Sequence, residues 1–473
     1  MTLASVDPRP ALSPLDGRYA PVTAPLLDYF SEAALNRARI RVEVEWFIYL
    51  LDQRALPGGP TLSSDERAHL RSIAAKFGPA EIAELAEIER QTVHDVKAVE
   101  YFLRRRLAGA AAVLGPRTSL TPALDPVIHF GLTSEDVNSL SYALVIKGGV
   151  EEVWLPDARG LANDLAELAR ANAGLAMLAR THGQAATPTT LGKELAVTTR
   201  RLRRQIARIE RTEYLGKLNG AAGTFGAHVE AVPQTDWPAV SRGFVERLGL
   251  VWNPLTTQIE SHDWQAELYA DLARFGRIAH NLATDMWTYI SLGYFVQARG
   301  QGTVGSSTMP HKVNPIRFEN AEANLEIAAA LFDTLGATLV TSRLQRDLTD
   351  STTQRNIGVA MGHSLLALDN LRRGLAGLDV GKAAIAADLA ANPEVLAEPI
   401  QSAMRAAALA GAPGMGDPYE RLKELTRGRR VSLDEIRQFV ATLGLAPEVA
   451  ARLAALSPAD YTGLAERLVA EHL

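Results

Sequence analysis

Residues 305–315 read GSSTMPHKVNP. Gly305 and the two serines after it permit unusual backbone angles and leave N–H groups free to face an anion. Lys312 and a helix start at Asn314 and Pro315 add positive charge and dipole. The sum is a receptor for a carboxylate or phosphate beside two hydroxyls. A lone Gly-Ser-Ser would be read as a surface loop with an ordinary helix cap; eleven residues in this order favour chemistry.

Four further clusters could supply that chemistry. RTHGQAATP (180–188) carries His182, whose side-chain type titrates nearest neutrality and so can act as a proton donor, given a carboxylate to keep it charged. A satisfied core histidine is an equal alternative on this segment alone. QTVHDVKAVEYFL (91–103) carries His94, Asp95, Lys97 and Glu100, and without a second histidine at ligand spacing it reads as a solvated helix face rather than a metal site. HFGLTSEDVNS (129–139) sets Thr133, Ser134, Glu135 and Asp136 ahead of a helical run, as a cap and first turn whose groups can also hold a carboxylate. SRLQRDLTDSTTQRNIG (342–358) offers Arg343, Arg346 and Arg355, with Ser351 and Arg355 four apart, a spacing suited to phosphate if helical and otherwise a set of solvated ion pairs.

The elements that must position these groups read as helices almost throughout. From residue 187, Leu191, Leu195, Thr198, Leu202, Ile206 and Ile209 form an apolar stripe, with Thr187 as the expected cap, Pro188 at the first position, and a preceding helix ending at MLAR (177–180). Asn314 and Pro315 are expected to open a helix with the line Ala321, Leu325, Ala328, Leu331 and Leu335. A third long segment begins at His262. Helices of about 25 residues extend close to 40 Å and bury their stripes in a bundle, often between subunits. The run RRLRRQIAR (200–208) raises nucleic-acid binding, but it shares a helix with an apolar seam.

Bulk properties narrow the classes. The 473 residues are 47% hydrophobic and 22% charged, a folded rather than disordered composition. The chain has no cysteine, which removes thiolate nucleophiles, disulfides and zinc-thiolate sites and fits a reducing compartment. Its net charge of −5 argues weakly against general nucleic-acid binding, so an anionic substrate needs a local cluster of cations. Prolines and charges interrupt the N-terminus where a secretion signal needs an apolar run, and no stretch reaches a membrane-spanning length. The expectation is a cytoplasmic protein with no membrane association.

GSSTMPHKVNP, RTHGQAATP and HFGLTSEDVNS resemble the three signature segments of the aspartase/fumarase superfamily. SPLDGRYA, TVHDVKAVEYFL, LNGAAGTFGAH, NPLTTQIESHD, SRLQRDLTDSTTQRNIG and PYERLKELTRGRRV are similar to the bacterial adenylosuccinate lyases within it, and the likeness runs from about residue 13 to the C-terminus. The resemblance implies an all-α fold of three domains, here 1–122, 123–376 and 377–473, with a central long-helix bundle at the core of a homotetramer and active sites shared among three subunits. It implies release of fumarate from nucleotide substrates, with no metal and no cofactor.

Position by position, the resemblance gives Ser306 as general base, His182 as general acid and Glu319 as the carboxylate pairing with that histidine. Lys312, Asn314, Thr133, Ser134 and Gln258 fall where the succinyl carboxylates bind, and Val313 falls among the substrate-binding positions. Arg18, Tyr19, His94, Asp95, Asn320, Arg346, Ser351 and Arg355 fall where the nucleotide and its phosphate are held. Val93 departs from the pattern, which has a polar residue before the His-Asp pair, and leaves only its backbone for contact. Other lyases of the superfamily, of the argininosuccinate lyase or fumarase type, remain the nearest alternative, and a non-catalytic helical scaffold the next.

Overall fold

The computed structural model describes residues 10–298, 309, 312–426 and 431–473. Helices dominate: α1 (Glu32–Asp52), α2 (Ser64–Ala75), α3 (Pro79–Thr92), α4 (Asp95–Leu114), α5 (Ser134–Gly148) and α6 (Leu155–Ala171). A hairpin follows, β1 (Ala176–Thr181) paired antiparallel with β2 (Gln184–Thr190). Next come α7 (Leu191–Ile209), α8 (Asp263–Ser291), α9 (Ile316–Leu339), α10 (Thr349–Gln354) and α11 (Ile357–Ala376). The C-terminal part includes α12 (Lys382–Ala390), α13 (Ala397–Leu409), α14 (Leu433–Ala441) and α15 (Pro447–Ala455). Two other short strand pairs join 215–216 with 251–252 and 295–297 with 378–380.

The chain divides into two compact units, one of Met1–Ala158, Gln205–Arg277 and Asn324–Asp369, the other of Arg159–Arg204, Ile278–Ala323 and Asn370–Leu473. In the first, α1 to α4 close over a core that includes Ile40, Phe47, Leu70, Leu85 and Phe102. Ser31 starts α1 by accepting from the Ala34 N–H at 3.1 Å. Ser63 and Glu66 form a reciprocal capping box on α2, at 3.2 and 2.8 Å. In the second unit, Leu396, Ile400, Met404, Ile436, Val440 and Leu453 form the core under α13 to α15.

The long helices carry their expected stripes. Leu191, Leu195, Thr198, Leu202, Ile206 and Ile209 of α7 are all buried, as are Ala321, Leu325, Ala328 and Leu335 of α9, where Phe332 rather than Leu331 completes the line. At 29 and 24 residues, α8 and α9 extend about 44 and 36 Å. Part of the basic run on α7 is paired within the chain: Arg201 donates to Asn281 at 2.8 Å and Arg208 pairs with Asp271 at 2.9 Å.

Three expected helix boundaries are wrong. MLAR lies in β1, and Thr187 and Pro188 lie in β2; the stripe begins only after them, with the Thr190 hydroxyl accepting from the Lys193 N–H at 3.1 Å as the actual cap. Threonines favour the extended pairing, and His182 and Gly183, at φ of +53° and +74°, make the two-residue turn whose left-handed angles match the strand twist. At α9 the helix starts at Ile316, one residue late, with the Pro315 carbonyl accepting from Phe318 N–H at 3.0 Å. Among the described residues, no helix is long and apolar enough to cross a membrane.

Candidate active site

The junction of α3 and α4 builds one wall of a cleft of about 750 Å³ in the first unit. Helix α3 ends at Val93, at φ 51° and ψ 32°, whose N–H reaches the Glu89 carbonyl at 2.8 Å. A β-branched residue there is an outlier, since glycine or asparagine takes this conformation more readily. The turn makes His94 the extended cap of α4, its Nδ1 accepting from the Lys97 N–H at 3.3 Å. Asp95 follows at the helix start, where its carboxylate accepts from Arg39 at 2.8 Å, Arg355 at 3.3 Å and the Val96 N–H at 2.8 Å. Burial pushes the Asp95 carboxyl up, but Arg39, the Val96 amide and Arg355 outweigh it and hold the group below its ordinary range.

The opposite walls come from the start of α5 and from α10. Ser134, Glu135 and Asn138 face the cleft with Arg346, Ser351 and Arg355. Glu135 is buried, pairs with Arg346 at 2.8 Å and accepts from Asn138 at 2.9 Å; Asn138 in turn accepts from Arg39 Nε at 2.9 Å. Burial raises the Glu135 pKa despite Arg346 and Asn138, with Asp350 adding to the rise. Beneath α10, Asp350 accepts from the Ser351 N–H at 2.6 Å and meets His262 Nε2 at 3.4 Å. The amides of Gln265 and Gln354 approach His262 Nδ1 at 3.2 and 3.4 Å, which leaves Nε2 as the donor to Asp350.

The segment that carries Thr133 and Ser134 is fastened from below. Asp136 accepts from the Thr133 N–H at 2.8 Å, from the Asn219 and Gly220 N–H groups at 3.0 and 3.2 Å, and pairs with Lys217 at 2.7 Å, both side chains fully buried. Gln258 donates to the Ala221 carbonyl of the same loop at 3.0 Å. Ahead of Thr133, His129 meets Glu43 at 2.5 Å and Glu100 at 3.9 Å. Burial lowers the His129 pKa, but Glu43, Glu100 and Asp136 reverse the effect and raise it.

The fold thus gathers Val93, His94, Asp95, Ser134, Arg346, Ser351 and Arg355 around one cleft. Thr133 and Gln258 belong to its supporting loops, while Arg18 lies 6.0 Å from the ring of its neighbour Tyr19 and neither lines the cleft. The remaining candidates belong to the second unit. His182 is exposed at the tip of the β1–β2 hairpin, and just before it Arg180 ties the first arm to Asp388 at 2.6 Å. Lys312, Val313 and Asn314 are exposed before α9, with the Val313 carbonyl accepting from Gln297 at 2.9 Å. Asn320 is half-buried on α9. Glu319 accepts from Trp287 Nε1 at 3.2 Å within the one chain described. Ser306, with its neighbours Gly305, Ser307 and His311, lies outside the described residues.

Sequence reasoning missed Arg39 and Glu43, both about 1% exposed. The signal was there: they stand four apart on the apolar stripe of α1 that also holds Leu35, Val42 and Trp46, where uncompensated charge is costly. His262 and Asp350 had no such signal, being 88 residues apart. Among the described residues no His, Asp and Glu side chains cluster as a metal site would require.

A family model described as "Lyase" matches residues 17–328, and one described as "Adenylosuccinate lyase C-terminal" matches residues 342–462. The adenylosuccinate lyase of Escherichia coli strain K12 is 45% identical over 461 residues, 98% of each chain. That of Vibrio cholerae is 45% identical over 459 residues, 97% of this chain and 98% of the relative. That of Legionella pneumophila strain Corby is 43% identical over 469 residues, 99% of each. Among solved structures, a fumarate lyase from Mesorhizobium sp. BNC1 shares the fold at a TM-score of 0.74 and 20% identity, covering 95% of this chain and 97% of that one. A 3-carboxy-cis,cis-muconate lactonizing enzyme from Pseudomonas putida gives 0.71 and 20%, covering 95% and 96%.

Proposed function

This chain belongs to the adenylosuccinate lyase family of the aspartase/fumarase superfamily, and on that premise we propose that it eliminates fumarate from two purine-pathway nucleotides. Adenylosuccinate yields AMP, and the succinyl-aminoimidazole carboxamide ribotide yields AICAR. The observation that carries this reading is the extent of the likeness, 98% of this chain and of the Escherichia coli enzyme.

In the proposed reaction Ser306 removes the proton beside a substrate carboxylate. Its loss creates a dianionic aci-carboxylate, which needs concentrated positive potential from Lys312, Asn314 and loop N–H groups. A serine is a poor base at its ordinary pKa and needs a desolvated, electropositive setting before it can accept that proton. His182, kept charged by Glu319 of another copy, donates to the departing nitrogen. Thr133, Ser134, Val313 and Gln258 hold the succinyl part. Arg18, Tyr19, His94, Asp95, Asn320, Arg346, Ser351 and Arg355 hold the nucleotide, the last three offering two guanidinium groups and a hydroxyl to its phosphate.

The same proposal includes a cytoplasmic homotetramer, domains at 1–122, 123–376 and 377–473, and sites assembled from three subunits. What supports it is the family likeness, together with the exposure of His182 at the hairpin turn and the hydrogen bond that Glu319 accepts from Trp287 rather than from a histidine among the described residues. The test is to incubate the protein separately with adenylosuccinate, the imidazole succinyl ribotide and argininosuccinate, and to follow fumarate. Release from the first two supports the reading. Release from argininosuccinate alone overturns it in favour of another lyase of the superfamily.

A further inference from the structure

Three arginines, Arg90, Arg346 and Arg355, line the cleft against three carboxylates, Glu89, Asp95 and Glu135. Two of the arginines are committed inside the fold. Arg346 pairs with Glu135 at 2.8 Å, and Arg355 with Glu32 at 3.2 Å and Asp95 at 3.3 Å. Neither commitment is easily exchanged, because Glu135 is buried and Asp95 also neutralises the buried Arg39. An incoming phosphate dianion therefore meets walls whose charges largely cancel.

Arg90 is different. Its partner Glu87, three residues earlier on α3, does not line the cleft, and the two side chains are 73% and 49% exposed. A pair so exposed is screened by water and salt and is weakly held. Glu87 also accepts from Gln91 Nε2 at 2.7 Å, so it keeps a donor if Arg90 leaves. On the same wall the Val93 side chain offers no polar atom, and Glu89 repels an anion.

We propose that Arg90 is a phosphate-binding residue of the cleft, exchanging Glu87 for the phosphate of the nucleotide substrate. The guanidinium fork that now grips Glu87 through Nε and Nη2, at 2.9 and 2.6 Å, fits two phosphate oxygens equally well. Arg346 and Arg355 then orient the phosphate, while Arg90 supplies charge that the fold has not already cancelled. The inference rests on the functional reading above and adds a specificity determinant to it.

The experiment compares the intact wild-type enzyme with Arg90→Gln, Arg90→Lys and Glu87→Gln, using adenylosuccinate and its dephosphorylated nucleoside. Arg90→Gln is expected to raise KM for the nucleotide about tenfold with kcat within twofold, and to leave KM for the nucleoside unchanged. Arg90→Lys should recover part of the loss, and Glu87→Gln should lower KM for the nucleotide by freeing the guanidinium. Inorganic phosphate should inhibit the wild type more strongly than Arg90→Gln. Equal effects on nucleotide and nucleoside, or no effect on either, would overturn the inference alone. A wild-type enzyme that releases no fumarate from adenylosuccinate would instead overturn the functional reading.

Discussion

In the cleft, Asp95, Glu135, Arg346 and Arg355 all have partners supplied by the fold, and the supporting ion pair Asp136–Lys217 is fully buried. At the hairpin tip His182 is exposed, and on α9 Glu319 is held by an indole. The two regions share one chain but not one state of readiness. Groups that grip a substrate gain from being locked in place beforehand, because their ordering cost is met during folding. In the proposed mechanism the acid His182 and its pairing carboxylate Glu319 must instead meet atoms brought from elsewhere, and they stand on a turn and on a helix face.

The sharpest break of that contrast is removal of a reactive group. Ser306→Ala and His182→Ala should each lower kcat by about 10²–10⁴-fold while substrate affinity stays within about tenfold. Mixing the two inactive variants after dissociation and reassembly should restore part of the activity, measured as fumarate release, if sites combine segments from different copies. Should Ser307→Ala rather than Ser306→Ala abolish turnover, the base is the neighbouring residue.

Removal of a locking group should act on stability instead. Lys217→Met leaves the Asp136 carboxylate buried without its cation, and unfolding free energy should fall by about 3–5 kcal/mol, read from the denaturant midpoint. A loss below about 1 kcal/mol would show that the loop under Thr133 is not anchored by this pair.

A smaller, pH-dependent effect belongs to His129. Its folded pKa is raised, on balance, by Glu43, Glu100 and Asp136 against the effect of burial. A raised histidine stabilises fully below its unfolded pKa of about 6.5, and the contribution is lost as pH rises through the folded pKa. The stability difference between wild type and His129→Gln should therefore be largest below about pH 6.5 and shrink above it. A difference independent of pH would mean that the histidine acts by shape alone.

The smallest effect concerns Val93. Its left-handed conformation is more comfortable for asparagine, so Val93→Asn should stabilise the chain by about 1 kcal/mol in thermal or denaturant unfolding. A loss of stability would indicate that the isopropyl group has packing that offsets its backbone strain.

Much of this was legible beforehand, for reasons visible in particular residues. The stripe Leu191 to Ile209 follows helical periodicity and stands as expected, and Thr133 caps α5 with its acids in the first turn. The start of that helix was misplaced because Thr-Pro before a helix is a common opening, while the pairing that draws Thr187 and Pro188 into β2 depends on residues on the far side of a turn. The cleft itself depends on side chains such as Arg39, Asp95 and Arg355, far apart in sequence and joined only by folding. Local pattern reports what a segment can do with its neighbours; it is silent on partners hundreds of residues away.

The hairpin beneath His182 is a ruler as well as a support. Its arms advance about 3.4 Å per residue and alternate faces, so adding one residue to each arm keeps the pairing but turns the imidazole to the reverse side, whereas adding two to each arm restores the facing and lengthens the reach by about 7 Å. If His182 is the acid proposed above, graded insertions would thus measure how much misalignment proton delivery tolerates, with its side chain unchanged.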